Sequence, residues 1–410
     1  MIQSVLWISL LLSQAPEKVG TAERFKVVGY LASWSLNANA VQYDKLTHIN
    51  YSFVIPDGSG GLGSMPNSSG FKQVVTKAHA SGVKVLIALG GWNNGDDSGF
   101  KTLAASASTR AKFVESCLAL IDSYQLDGID IDWEFPGDDG ASESANFTLM
   151  MKDLSAALKP KGKLLTAAVT SKEWFAGVQK EVFGYVDFVN LMAYDGSDHG
   201  TMAQAEGSFT YWLGKGLPKE KAVLGVPFYC RPSELSYKQL VAQDPANAYK
   251  DSVNGCNYNG IETMKKKTAL AVSKGNGIMI WELSHDTTDQ TSLLLAIQQE
   301  VTRLQPNPQP NPQPNPQPNP QPNPQPDPQP NPQPNPGTGQ DPTQPATGGS
   351  PSSNSPPQSG DAQSGDERGR VEGVGCQVGV TPTDALLLAL LLEGLGILGL
   401  RRRADRKVRS

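Results

Sequence analysis

Eight short runs of β-branched and aliphatic residues, each followed by a stretch with helical spacing, constrain this chain more than any other feature. The runs are Phe25–Ala32, His48–Val54, Val83–Gly90, Gly128–Trp133, Leu164–Val169, Phe188–Ala193, Val223–Tyr229 and Gly277–Trp281. Several are apolar without alternation, the pattern of parallel strands covered on both faces. Helical spacing occupies stretches between and after them, among them Thr109–Tyr124, Ser142–Leu158, Ile261–Ser273 and Gln290–Leu304. Eight strand-then-helix units in about 280 residues predict an α/β fold, a (β/α)8 TIM barrel over residues 23–304, better than an open doubly wound sheet. No GxGxxG follows the first strand, so dinucleotide binding has no support.

The composition changes abruptly on either side of this segment. Residues 1–22 read as an export signal: Val5–Leu12 is an apolar run too short to span a bilayer, with small-residue sites ending at Ala15 or Ala22, although no basic stretch precedes it. Residues 305–336 are eight tandem Gln-Pro-Asn-Pro tetrads, one carrying Asp327 in place of Asn. Proline at every second position forbids helix and sheet ladders, so an extended polyproline spacer is expected, followed by a Gly/Ser/Thr-rich disordered linker over 337–374. Residues 375–410 hold Gly375-Cys376, the hydrophobic helix candidate Ala385–Leu400 interrupted by Glu393, and a closing arginine cluster. Membrane contact is expected only through 385–400. The last ten residues carry six Lys/Arg against one Asp, so the formal charge of −5 becomes −10 for the rest of the chain, which gives no bias toward nucleic acid. Four cysteines include no CxxC pair, and neither a zinc finger nor a thioredoxin-like site is written here.

The fourth run, Asp127-Gly128-Ile129-Asp130-Ile131-Asp132-Trp133-Glu134, carries the chemistry. Strand side chains alternate, so Asp130, Asp132 and Glu134 share one face while Ile129, Ile131 and Trp133 take the other. Successive carboxyls about 7 Å apart on a buried strand repel one another and force at least one pKa upward, which keeps an acid ready to donate a proton. At the carboxyl end of a barrel strand the last of them faces a substrate.

The pattern DxxDxDxE, met by Asp127, Asp130, Asp132 and Glu134, resembles the signature of glycoside hydrolase family 18, the chitinases and their relatives. Tyr30 and Trp34, the stretch Thr47 to Phe53, Gly90-Gly91-Trp92, Met192-Ala193-Tyr194-Asp195, Gly225 to Tyr229, and Trp281-Glu282 fall at the family's places and in its order. The resemblance implies a substrate-assisted retaining mechanism without cofactor or metal. In it Glu134 is the acid, Asp132 holds the acetamido nitrogen, and Asp130 sits behind it sharing a proton. Tyr194 donates to the acetamido oxygen and Asp195 supports the sugar. Tyr30, Trp92, Met192, Tyr229 and Trp281 bind substrate, with Trp281 as the floor beneath it, and Asp127 and Gly128 support the motif. Ala88 where the family usually has serine, and Cys230 where it usually has glycine, bear on subsite shape rather than on the acid.

The implied substrate is chitin or N-acetylglucosamine oligosaccharides, cut internally in a shallow groove, because the short stretch after Arg231 has no room for the α+β insertion of deep-cleft members. Trp133 and Trp281 favour chitin over the chitobiose core of N-glycans, the substrate of a related endo-β-N-acetylglucosaminidase. A lectin on the same barrel is disfavoured by the presence of Glu134. The tail resembles the myxobacterial type of sorting segment, which is cut by a membrane protease during surface display; a plain amphipathic helix is the alternative. For Trp92 and Trp174, which follow strands, core packing is the alternative to lining a subsite; Trp212 is expected to be structural, His48 a core histidine and Cys117 a buried thiol. Cys230 and Cys256 could pair in an exported protein.

Overall fold

The computed structural model describes residues 24–137, 140–172 and 177–305. The expected export segment, the proline tetrads, the linker and the tail lie outside the described residues, apart from Gln305, as does Trp174. Strands β1 (Lys26–Ala32), β2 (His48–Val54), β3 (Lys84–Gly91), β4 (Gly128–Trp133), β5 (Leu164–Thr170), β6 (Phe188–Met192) and β7 (Ala222–Pro227) come first. A short antiparallel pair, β8 (Ser252–Val253) and β9 (Cys256–Asn257), precedes β10 (Gly277–Trp281). The eight longer strands close into a barrel in the order β1-β10-β7-β6-β5-β4-β3-β2. All its pairings are parallel. The expected (β/α)8 barrel is therefore the fold, with every strand found within two residues of its expected ends. The seventh stops early, at Pro227.

Helices α1 (Ser68–Ala80), α2 (Ser98–Ala105), α3 (Ala107–Tyr124), α4 (Ala141–Leu158), α5 (Val182–Tyr185), α6 (Met202–Gly214), α7 (Tyr237–Gln243), α8 (Ile261–Lys274) and α9 (Leu293–Leu304) lie in the connections and after the last strand. Between β7 and β10 the chain makes α7, a 3-10 turn, the β8–β9 pair and α8, and no α+β domain is inserted there. Among the described residues no helix is long and apolar enough to cross a membrane.

The barrel wall separates two apolar layers. Ile129, Ile131 and Trp133 face outward into the large cluster between strands and helices, with Phe147 and Leu154 of α4. Inside, a small cluster of Val28, Tyr30, Ala88, Phe188, Val223 and Met279 shares the lumen with fully buried Asn50, Asp130, Thr166 and Asn190. His48 closes one end of this interior edge-on to Phe188, its Nδ1 2.7 Å from the Thr47 hydroxyl. Burial, then the charges of Lys84, Lys26 and Arg24, push its imidazole down to about 3, so it stays neutral, as a core histidine should. Trp212 is likewise structural, buried with its indole N–H donating to the Thr170 carbonyl at 2.9 Å. Cys117 is a buried thiol.

Two motif residues set where β4 starts. Asp127 accepts from the Val85 backbone N–H at 2.7 Å and pairs with His79 Nε2 at 2.9 Å, fastening the strand to β3 and α1. Gly128 has no space for a side chain, because a Cβ there would lie 2.3 Å from the Leu164 carbonyl oxygen.

Candidate active site

The lumen-facing residues of β4 rise as a column of carboxyls, as strand alternation requires. Asp130, the lowest, has no solvent exposure. Its oxygens accept from the Tyr30 hydroxyl at 2.5 Å, the Thr166 hydroxyl at 2.5 Å and the Asn190 amide at 3.2 Å. Burial pushes its carboxyl up to about 6, and these donors work against that rise. Asp132, one step above, is also buried, and its Oδ1 has no hydrogen-bond partner among the described residues. Burial, then the charges of Glu134 and Asp130, hold Asp132 well above the usual carboxylate range. Glu134 follows the strand end, and burial together with the Asp195 charge raises it to about 7. A carboxyl that keeps its proton near neutrality is what a general acid needs.

The residues after β6 and β7 face this column. Tyr194 packs so tightly against β7 that a Cβ on Gly225 would stand 3.0 Å from its ring. Burial, then Tyr229 and the acidic groups Asp132, Asp195 and Glu134, hold its phenol well above the ordinary value, so it remains a donor. Asp195 has φ of 60°, a left-handed turn that its neighbours hold in place. Its backbone N–H donates to His199 Nδ1 at 2.9 Å, which leaves the other ring nitrogen to donate to the Tyr229 carbonyl at 3.2 Å. Burial lowers the His199 imidazole, consistent with this neutral tautomer. The Tyr229 hydroxyl and Arg231 Nε both donate to Asp195 Oδ1, at 2.6 and 2.7 Å.

Aromatic rings form the adjoining wall. Trp281, at the end of β10, stacks on Phe53 at 5.7 Å, meets Tyr30 edge-on at 5.6 Å and lies 6.3 Å from Trp34. Trp34 and Trp92 expose 67% and 60% of their surface, a large apolar area left open on the rim. Gly90 and Gly91 both have positive φ; a Cβ on Gly91 would press into the Phe53 ring at 2.7 Å, so glycine lets the β3 turn pass beside it. A cavity of about 290 Å³ opens beside Glu134, bordered by Gly90, Gly91 and Asp97. The buried Glu282 carboxylate accepts from Ser284 and lies 3.4 Å from the Ser35 hydroxyl, joining the loop that bears Trp34 to the one after Trp281.

The structure brings together Asp130, Asp132, Glu134, Tyr194, Asp195, Tyr229 and Trp281, with Met192 partly buried against the inner cluster and Trp92 on the rim. Three expectations change. Tyr30 is 2% exposed with its hydroxyl engaged by Asp130, so it supports that carboxylate and does not line the groove. Trp133 points outward, stacked on Phe100 at 5.3 Å with its N–H on Asp97, and contributes nothing to a preference for chitin. Ala88 pairs in register with Asp130 inside the barrel and so bears on that carboxylate's surroundings, not on subsite shape. Sequence reasoning missed Thr166 and Asn190, whose signal was a polar residue interrupting a buried run, and Arg231 and His199, which gave no signal. Among the described residues no three His, Cys, Asp or Glu side chains group so as to hold a metal ion.

A model of glycosyl hydrolases family 18 matches residues 26–286. The mouse (Mus musculus) protein chitotriosidase-1 is 28% identical over 369 residues, covering 70% of this chain and 78% of that one. The Drosophila melanogaster protein named "Probable chitinase 10" is 28% identical over 246 residues, covering 50% of this chain, which spans only 11% of that relative. Among solved structures, a GH18 chitinase from the chitin utilization locus of Flavobacterium johnsoniae superposes with a TM-score of 0.62 at 28% identity, covering 69% of this chain and 95% of that one.

Proposed function

The chain belongs to glycosyl hydrolases family 18, and on that premise we propose that it is an endo-acting chitinase that retains anomeric configuration through participation of the substrate's own acetamido group. The observation that carries this reading is the orphaned Oδ1 of Asp132, buried between Asp130 and Glu134. A buried acceptor without a donor costs roughly 1–3 kcal/mol, and the N–H of an acetamido group on a sugar above Trp281 would supply that donor. With Asp132 holding the nitrogen and Tyr194 donating to the oxygen, the acetamido carbonyl is aimed at the anomeric carbon. Glu134 then delivers its proton to the departing glycosidic oxygen as the oxazolinium ion forms, and returns as base toward the incoming water. The positive charge that develops on the ring meets the carboxylate that Glu134 becomes as it gives up its proton.

Cleavage within chains is supported by the connection from β7 to β10, which has no inserted domain to roof the groove beside Trp281. The sequence of the two ends supports export through 1–22 and retention at the cell surface through 375–410, where a sorting protease would act. Proton NMR of the first product from an N-acetylglucosamine tetramer tests the mechanism: the β-anomer is expected, and an initial α-anomer rejects acetamido participation. Comparing release from colloidal chitin with release from a high-mannose glycoprotein tests the substrate.

A further inference from the structure

The carboxylate of Asp195 is held by the two residues flanking Cys230. Tyr229 and Arg231 each donate to the same carboxylate oxygen, and the guanidinium also lies over the Tyr229 ring, 5.4 Å from its centroid. A long arginine side chain has much rotamer freedom to lose, and a fixed backbone lowers that cost, as does the Glu234 carboxylate that the same guanidinium pairs with. Beyond Phe228, whose N–H donates to the Trp281 carbonyl at 2.8 Å, the barrel ladder has ended, and Arg231 is held in another way. Its N–H and carbonyl exchange hydrogen bonds with Asn257 at 3.0 and 2.8 Å, and the residues preceding these two, Cys230 and Cys256, are joined by a disulfide. Asn257 belongs to a hairpin of two residues per strand, which is too small to be stable by itself. The covalent link therefore turns a marginal hairpin into a fixed backrest for Arg231. The same excursion reaches the Asp195 loop a second time, through the Asn259 amide, which donates to the Gly200 carbonyl at 2.7 Å.

We propose that the Cys230–Cys256 disulfide is a positioning device for the reaction: it fixes the backbone of Arg231 so that the guanidinium and the Tyr229 hydroxyl hold Asp195 where the bound sugar meets it. This rests on the chitinase reading. Neither cysteine touches substrate; both act through Arg231.

A double-mutant cycle in the full chain tests the idea, with kcat and KM measured on a soluble N-acetylglucosamine tetramer and folding checked by circular dichroism. Replacing both cysteines by serine is expected to lower kcat/KM by roughly tenfold to a hundredfold, the cost of losing one hydrogen bond to a charged group. The loss should fall mainly on KM, since Asp195 supports the sugar before and during the reaction. Arg231→Gln should do the same, and the triple variant should be no worse than the poorer of the two. A serine pair with wild-type KM, or losses that multiply in the triple variant, overturns the proposal, because a clip that only adds stability moves the melting temperature and leaves KM alone. Should the serine pair fail to fold, the wild type reduced by a dithiol serves instead. The dithiol passes two electrons and two protons to the S–S bond and leaves as its cyclic disulfide, giving two thiols. KM should then rise and recover on reoxidation, and an unchanged KM again overturns the proposal. A folded wild type that turns over no tetramer rejects the chitinase reading itself, and this role with it.

Discussion

Glu134 is a carboxyl whose proton outlasts its ordinary range, raised by burial and by Asp195 from 4.5 to about 7. Two outcomes follow at this residue. Glu134→Gln keeps shape and hydrogen bonding but has no proton to give, so kcat should fall by about 10²–10⁴ while oligomer binding, read by calorimetry, survives. The same substitution has an opposite effect on stability. Because the folded state binds its proton more tightly than the unfolded one, stability falls as pH rises from the ordinary value through about 7, and glutamine removes that loss. The variant should therefore melt above the wild type by about 4–7 °C at pH ~8, and show no such gain at pH ~4, in a thermal scan. Asp195→Asn deletes a charge that opposes ionisation of Glu134. The alkaline limb of the kcat profile should move to lower pH, by less than the part of the shift that burial sustains, with Asp132 and Tyr194 still facing the acid. A limb that stays or moves upward means that Asp195 does not set the acid's proton affinity.

Strand β4 positions the carboxyl column only because its first residue lies flat against β5. Gly128→Ala would put a methyl 2.3 Å from the Leu164 carbonyl oxygen, a backbone atom that can yield only by parting the two strands. The expected cost is about 1–3 kcal/mol in a denaturant melt, with a drop in kcat/KM as Asp130 and Asp132 shift with the strand. A variant with unchanged midpoint and turnover would mean that the β4–β5 register does not govern the site. The strands themselves were legible because continuous apolar runs and period-two alternation are local properties. The crossover from β5 to β6 was less so: the helix assigned there, Val182–Tyr185, is a single turn that no periodicity announces.

At the scale of the whole molecule, the segment 24–305 holds both apolar layers and the closed barrel, and proline tetrads have no N–H at every second residue with which to extend a sheet. Expressed alone, it should fold cooperatively and turn over soluble oligomers within about twofold of the full chain, since a closed barrel with its own core is a domain that can fold by itself. Insoluble or inactive material would show that the later residues contribute to the catalytic unit. The sequence by itself determined the barrel and the order of its strands. It also determined that Asp130, Asp132 and Glu134 share one face, because alternation along a strand follows from backbone geometry. It could not say what lies across the lumen, since closure brings together residues far apart in the chain. Only the closed barrel set Tyr30, Thr166 and Asn190 around Asp130, turned Tyr30 from a substrate contact into a support, and left Asp132 Oδ1 without a donor. Only the return of the chain from Arg231 to Asn257 placed a guanidinium on Asp195, because a side chain's partner is fixed by packing across the fold and not by its neighbours in sequence.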